Sequence, residues 1–166
     1  MNSGQFIQWH DLFVLVDDGS VPIGRYDAIE AAMREQAKQY PQGICCLVIL
    51  PPETKPPSEE TKLAVKGLLM RLASQLSSLA YIVEGTGFKG VAARASLVGM
   101  KIFASRPYPI YVETSLREVL TKVLPHLVEG QTITSDVKVI MNVISDARMT
   151  WIPPPPPSRL TGVTTK

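Results

Sequence analysis

Gly85-Thr86-Gly87-Phe88-Lys89-Gly90 satisfies the pattern G-x-G-x-x-G. In dinucleotide sites such glycines let backbone amides close on a pyrophosphate at the start of a helix. Here the phrase follows an apolar run, Leu79 to Val83, and opens a segment rich in small residues. Glu113 ends the next apolar segment about where a ribose-binding acid belongs. Lys89 and Arg94 would be the counter-charges, so Gly85, Gly87, Gly90, Lys89 and Arg94 form a candidate anion site. Three features oppose a dinucleotide. The phrase lies in the third βα unit, 166 residues is short for such a fold, and Glu84 sets a negative charge beside the phosphate position. The other reading is a loop that needs glycine's backbone freedom.

Other chemistries find less support. Cys45 and Cys46 are adjacent inside Ile44 to Leu50, and neighbouring strand residues point to opposite faces, so a bond between them would be strained. They read as small buried hydrophobes. His10 and His126 are far apart with no Cys, Asp or Glu clustered beside either, whereas a structural zinc site needs four ligands at recognisable spacing. No G-x-S-x-G phrase occurs. The pairs Asp17-Asp18 and Glu59-Glu60 have local explanations, the first as turn chemistry and the second at a helix start. The sequence therefore implies no catalytic residue, no metal and no cofactor.

Elements to carry these residues follow from periodicity. Phe6 to Trp9 and Phe13 to Val16 read as strands, ended by the turn Asp17-Asp18-Gly19-Ser20. A helix over Tyr26 to Tyr40 puts Ile29, Ala32, Met33 and Ala37 on one face. Ile44 to Leu50 is apolar throughout, as in a central strand covered on both sides. The stiff loop Pro51 to Pro57 carries four prolines. Ser58 then caps a helix that the stripe Val65, Leu68, Leu69, Leu72, Leu76 and Leu79 extends to about Ser78, roughly 30 Å. Leu79 to Val83 is a strand and Val91 to Ala104 a helix. Ile110 to Val112 is a short strand, and Ser115 caps a helix through Leu127. The order ββαβαβαβα predicts an α/β fold, a mostly parallel four- to five-stranded sheet with helices packed on it.

Composition suits one such domain. Hydrophobic residues are 45% and charged residues 19%; 17 basic against 15 acidic side chains leave a net charge of +2. That balance lacks the basic stripe of nucleic-acid binders. No apolar run reaches the ~18 residues of a membrane span, and Met1 to Asp11 lacks the order of a signal peptide. A cytoplasmic location is the expectation.

The order of elements, with the phrases Glu84 to Gly90 and Arg106-Pro107-Tyr108-Pro109-Ile110, resembles the STAS-like superfamily, in particular small single-domain bacterial proteins of STAS or SEC14 type. The resemblance covers about Phe6 to Leu127. It implies a non-catalytic regulatory or scaffold module, after anti-sigma-factor antagonists that bind a partner kinase and are switched by phosphorylation of a serine. Ser58 holds the equivalent place, at the start of the helix after the third strand, and is the candidate phosphorylation site. The family's Asp-Ser-Ser-Gly-Leu phrase is absent; this chain reads Pro57-Ser58-Glu59-Glu60-Thr61. The helix start would attract a phosphate there while the two carboxylates would repel it. A plain N-cap is the other reading of Ser58.

Organisation by segment is then residues 1–127 as the STAS-like domain, 128–152 as linker and amphipathic interaction segment, and 153–166 as a proline-rich tail. Val137, Ile140, Met141 and Ile144 have helical spacing, with Ser135 as cap. Such a stripe must cover the sheet, pair with another copy or meet a partner. Pro153, Pro154, Pro155, Pro156 and Pro157 are consecutive and must form polyproline II, either as a spacer or as a ligand for an aromatic groove. The function expected is protein–protein interaction: a bacterial regulatory, adaptor or assembly component docking through this C-terminal segment, with homo-oligomerisation as one form and tuning at the Pro51 to Ser58 loop. The alternatives are a small-ligand or lipid-binding module and a nucleotide-dependent enzyme using the Gly85 loop.

Overall fold

The computed structural model describes residues 5–85, 106–127 and 137–149, with Gly90, Ala92, Ala95 and Leu97 between them. Five strands, β1 (Phe6–Trp9), β2 (Leu12–Val16), β3 (Ile44–Leu50), β4 (Leu76–Val83) and β5 (Ile110–Glu113), form one sheet in the order of the chain. The β1–β2 pair is an antiparallel hairpin, and every later pair is parallel. Among the described residues, four continuous helices pack on the sheet: α1 (Arg25–Ala37), α2 (Glu59–Arg71), α3 (Leu116–Val123) and α4 (Val137–Met149). The expected α/β architecture is observed.

Two apolar layers sandwich the sheet, because successive strand residues alternate between faces. Phe13, Leu15, Cys46, Val48, Leu79 and Tyr81 meet α1 and α2 through Ile29, Met33, Leu68 and Leu72. Leu12, Val14, Cys45, Leu47, Ile49, Ala80 and Ile82 meet α3 and α4 through Val119, Leu120, Val123, Ile140 and Ile144. Coverage on both sides is why β3 has no polar position. Its first six residues are all buried.

Polar contacts fix the helices in register. Gln36 of α1 is buried and donates from Nε2 to the carbonyls of His10 (2.6 Å) and Leu12 (3.1 Å), tying the helix end to the β1–β2 hairpin. Between α1 and α2, Glu30 accepts paired bonds from two guanidinium groups, Arg34 (3.0 and 2.8 Å) and Arg71 (2.8 and 2.6 Å). Arg71, then Arg34, holds the Glu30 carboxyl below its usual range against the opposing effect of its partial burial. Ser58 Oγ accepts from the Thr61 amide at 3.1 Å, and Ser115 Oγ from the Glu118 amide at 3.3 Å, so both serines cap as expected.

The structure ends α1 at Ala37, short of the expected Tyr40, and corrects two further helix boundaries. The first is the C-terminus of α2, which stops at Arg71; a 3-10 turn over Ala73–Gln75 follows and β4 starts at Leu76. The cause is a β-bulge. Ile44 pairs with Leu76 but Cys45 pairs with Ser78, so one extra residue, Ser77, shifts the phase of the strand. Leu76 and Leu79 therefore face the same layer although three apart, which continues the four-and-three spacing of a helix from Leu72 into a strand. The second is α3, which ends at Val123 and runs into a 3-10 turn, Leu124–His126. Pro125 lacks the amide that an α-helix would need there.

Beyond Leu127 the packed body continues. Ile140 and Ile144 are 0% and 1% exposed, and Val137 and Met141 pack against the same layer. Of the three roles open to that stripe, the structure shows it covering its own sheet. Ser135, most of the segment from Val91 to Ala104, and Pro153 to Pro157 lie outside the described residues.

Two outcomes follow. Ile140→Ala should destabilise the fold by about 2–4 kcal/mol in denaturant melts, since it empties a closed site. Glu30→Gln should lower the melting temperature at neutral pH. A carboxyl held below its ordinary pKa adds stability above that range and loses it as pH falls through its folded value. The gap between wild type and Glu30→Gln should therefore narrow as the solution is acidified through the lowered pKa of the folded carboxyl.

Candidate functional site

The parallel strands β2, β3 and β4 all end at one edge of the sheet. There the chain leaves β2 through Asp17-Asp18-Gly19-Ser20 and β3 through Pro51 to Pro57. The first turn is built by its own carboxylates: Asp17 Oδ1 accepts from the Gly19 amide (2.8 Å) and Asp18 Oδ1 from the Ser20 amide (2.9 Å). The proline loop is strapped to it. The Lys55 amide donates to the Asp18 carbonyl (3.3 Å) and Thr54 Oγ1 to the Asp17 carbonyl (3.2 Å).

Gly19 makes this approach possible. Its φ is +79°, and a Cβ at that position would lie 2.7 Å from the Lys55 carbonyl oxygen and 2.8 Å from its amide nitrogen. Both neighbours are backbone and cannot rotate away. Only glycine fits.

Beneath the strap lies a cavity of about 470 Å³. Val48 and Leu50 of β3 and Tyr81 of β4 form its floor, Val21 and Tyr26 one wall, and Val65 of α2 another. Pro52, Pro56 and Pro57 border it from the loop, and Ala92 and Leu97 from the segment before β5. The volume is within the range of small-molecule sites, which are mostly apolar with a few placed polar groups. Here they are Asp17, Tyr26 and Tyr81, joined by Thr54, Thr61 and the charged Glu53, Lys55 and Lys62. The tyrosines are 5% and 8% exposed. The Tyr26 hydroxyl interacts directly with the Asp17 carboxylate. Burial, then the neighbouring Asp17 charge, pushes its phenol well above the ordinary range. Burial does the same to Tyr81. The Asp17 carboxyl is also raised, by burial first and Asp18 later, against the lowering effect of the Gly19 amide. Among the described lining residues there is no Cys, His or Ser, so the lining offers hydrogen bonds and apolar contact but no thiol, imidazole or serine nucleophile.

The other candidate residues fall elsewhere. Ser58 is exposed at the start of α2, beside the loop that borders the cavity, and its oxygen is engaged in the cap. Gly85 has φ +99°, with a Cβ position 3.1 Å from Pro52, so it serves a close approach between two loops. Gly90 is buried at a helical position, and Gly87, Lys89 and Arg94 lie outside the described residues. Glu113 is ion-paired with Lys122 of α3. His126 Nε2 is 2.7 Å from the Tyr111 hydroxyl. Cys45 and Cys46 are buried free thiols, and burial pushes Cys45 up to about 12 and Cys46 higher still. Among the described residues no group of three or more His, Cys, Asp or Glu could hold a metal ion, and no helix is long and apolar enough to cross a membrane.

Sequence reasoning singled out the Pro51 to Ser58 loop but not the cavity behind it. In the sequence Tyr26 reads only as the start of a helix, Tyr81 as a strand residue and Asp17 as a turn residue. No family model matches the chain, and neither a curated protein nor a solved structure matches it. The functional argument therefore stands on the site.

Gly19→Ala should separate the two loops. The expected result is a loss of about 1–3 kcal/mol in stability and faster hydrogen exchange at the Lys55 amide, with exchange in β3 changed only through global stability. Unchanged exchange at Lys55 would show that the strap does not depend on Gly19.

Proposed function

We propose that this chain is a non-enzymatic binding module of STAS-like type, whose working site is the cavity at the C-terminal ends of β2, β3 and β4 and whose ligand is a small, largely apolar molecule. The cavity of about 470 Å³ under the proline loop carries this reading. The apolar walls favour a ligand that gives up little hydration on entry. Because the loop leads directly into Ser58 and α2, occupancy of the cavity would be transmitted to that surface. This gives a regulatory or adaptor role a physical route.

A second reading, docking of a protein partner, draws on Leu63 and Met70. They are 69% and 59% exposed and lie seven residues apart on α2, a spacing that places them on one helix face.

Filling the cavity distinguishes the two. Val65→Phe should reduce binding of an environment-sensitive apolar dye by about tenfold, equivalent to about 1.4 kcal/mol, and leave the melting temperature equal or higher, as cavity-filling changes commonly do. Undiminished dye binding by a folded Val65→Phe protein would remove the cavity from consideration.

A further inference from the structure

Helix α2 turns one face to the core and the cavity and leaves the other to solvent. Among the described residues three large hydrophobic side chains are exposed, Ile23, Leu63 and Met70. Two of them share that outer face of α2. Gly67 lies between them, within about 40° of Leu63 around the helix axis. The fold does not require a glycine there. Apart from its own helix backbone and chain neighbours, a Cβ at position 67 would have only Arg71 Nη1 within 4 Å, at 3.1 Å, and that is the end of a flexible side chain. Position 67 is interior to α2, where glycine is a poorer helix former than alanine. The missing side chain leaves a notch beside two exposed apolar groups, and such a notch admits the close approach of another helix.

The charges along α2 indicate which helix that is. Its first turn carries Glu59 and Glu60 and its last turn Arg71. Glu60 is exposed, and no ion pair engages it among the described residues. Arg71 spends Nε and Nη2 on Glu30 and keeps Nη1, on a side chain that is 52% exposed. Two copies of α2 placed antiparallel about a two-fold axis bring each acidic start to the other's basic end and oppose the helix dipoles. One register serves the notch and the charges together. Leu63 and Gly67 are centred on position 65, and Glu60 and Arg71 within half a residue of it. A two-fold axis at that level sets Leu63 over Gly67 of the other copy and Glu60 beside its Arg71. Glu60 and Arg71 also lie on one flank of the face, about 20° apart around the helix axis, and antiparallel pairing matches like flanks. A parallel pair would instead set each charge level with its own copy.

We infer that α2 pairs antiparallel with α2 of a second copy of this chain, Leu63 of each seated over Gly67 of the other. This inference rests on the docking reading of Leu63 and Met70 and is independent of the cavity. One helix pair is a small interface, for which a dissociation constant of about 10 µM is expected.

Sedimentation velocity of the full chain from about 1 to 300 µM tests it, and the wild type should pass from monomer to dimer across that range. Leu63→Glu should weaken the dimer about hundredfold, because the two-fold axis counts each change twice. Gly67→Gln should weaken it about tenfold or more by filling the notch. The dilute, monomeric Gly67→Gln protein should melt at an equal or higher temperature, since glutamine is the better helix former. Met70→Cys reads the orientation: in the antiparallel register its two copies lie about 15 Å apart along the axis, so mild oxidation should give no cross-linked dimer. Cys45 and Cys46 are buried and do not interfere. Rapid cross-linking of Met70→Cys would overturn the antiparallel arrangement. A monomeric wild type would overturn self-pairing while leaving Leu63 and Met70 to a different protein. A dimer unchanged by both Leu63→Glu and Gly67→Gln would overturn α2 as the docking surface altogether.

Discussion

Burial of β3 on both faces is the constraint from which the rest of the structure follows. Ile44 to Ile49 are all buried, and a strand with no polar position cannot leave either side to water. One layer is supplied by α1 and α2, the connections from β2 to β3 and from β3 to β4. In a sheet whose strands follow chain order, right-handed crossovers put both helices on the same face. The opposite face is then bare until the chain has passed β5. The C-terminal helices α3 and α4 close it, which is why Ile140 and Ile144 are as deeply buried as the strands they cover.

The same arrangement makes the cavity. Parallel strands bring their carboxyl ends to one edge, and the chain must leave that edge by loops before each helix begins. Here the exit from β3 carries Pro51, Pro52, Pro56 and Pro57, residues that donate no backbone hydrogen bond and resist collapse onto the sheet. The loop is held by the turn after β2 instead, through Thr54 and the Lys55 amide. Stiffness of the loop and the close backbone contact at Gly19 hold it as a roof over Val48 and Tyr81. The space beneath is filled by neither.

Fold and site were unequally legible in the sequence, for physical reasons that particular residues show. The unbroken run from Ile44 to Leu50 announces a central strand, and Ser58 and Ser115 announce the starts of their helices. Each of those signals is local. The end of α2 was misread because a bulge at Ser77 gives Leu72, Leu76 and Leu79 the spacing of a helix. The stripe on α4 was legible as an apolar face but not as to what it covers, because that depends on a sheet face left open by the handedness of earlier connections. The cavity was least legible of all. It draws on positions from Asp17 to Leu97, and each polar member has a sufficient local explanation. Asp17 does cap a turn, and Tyr26 and Tyr81 do occupy core positions. Only their meeting at one edge is informative.

That meeting also separates the demands of folding from those of binding. Phenylalanine at position 26 would fill the same volume, so packing alone does not account for tyrosine there. Its hydroxyl meets the Asp17 carboxylate, whose Oδ1 also holds the Gly19 amide. The pair ties the start of α1 to the turn after β2, and through Gly19 to the proline strap. The groups that frame the cavity are thus accounted for by the fold. Its apolar interior, bounded by Val48, Leu50 and Val65, is not. The physical case for a binding site therefore lies in a space that the domain's own packing leaves unfilled.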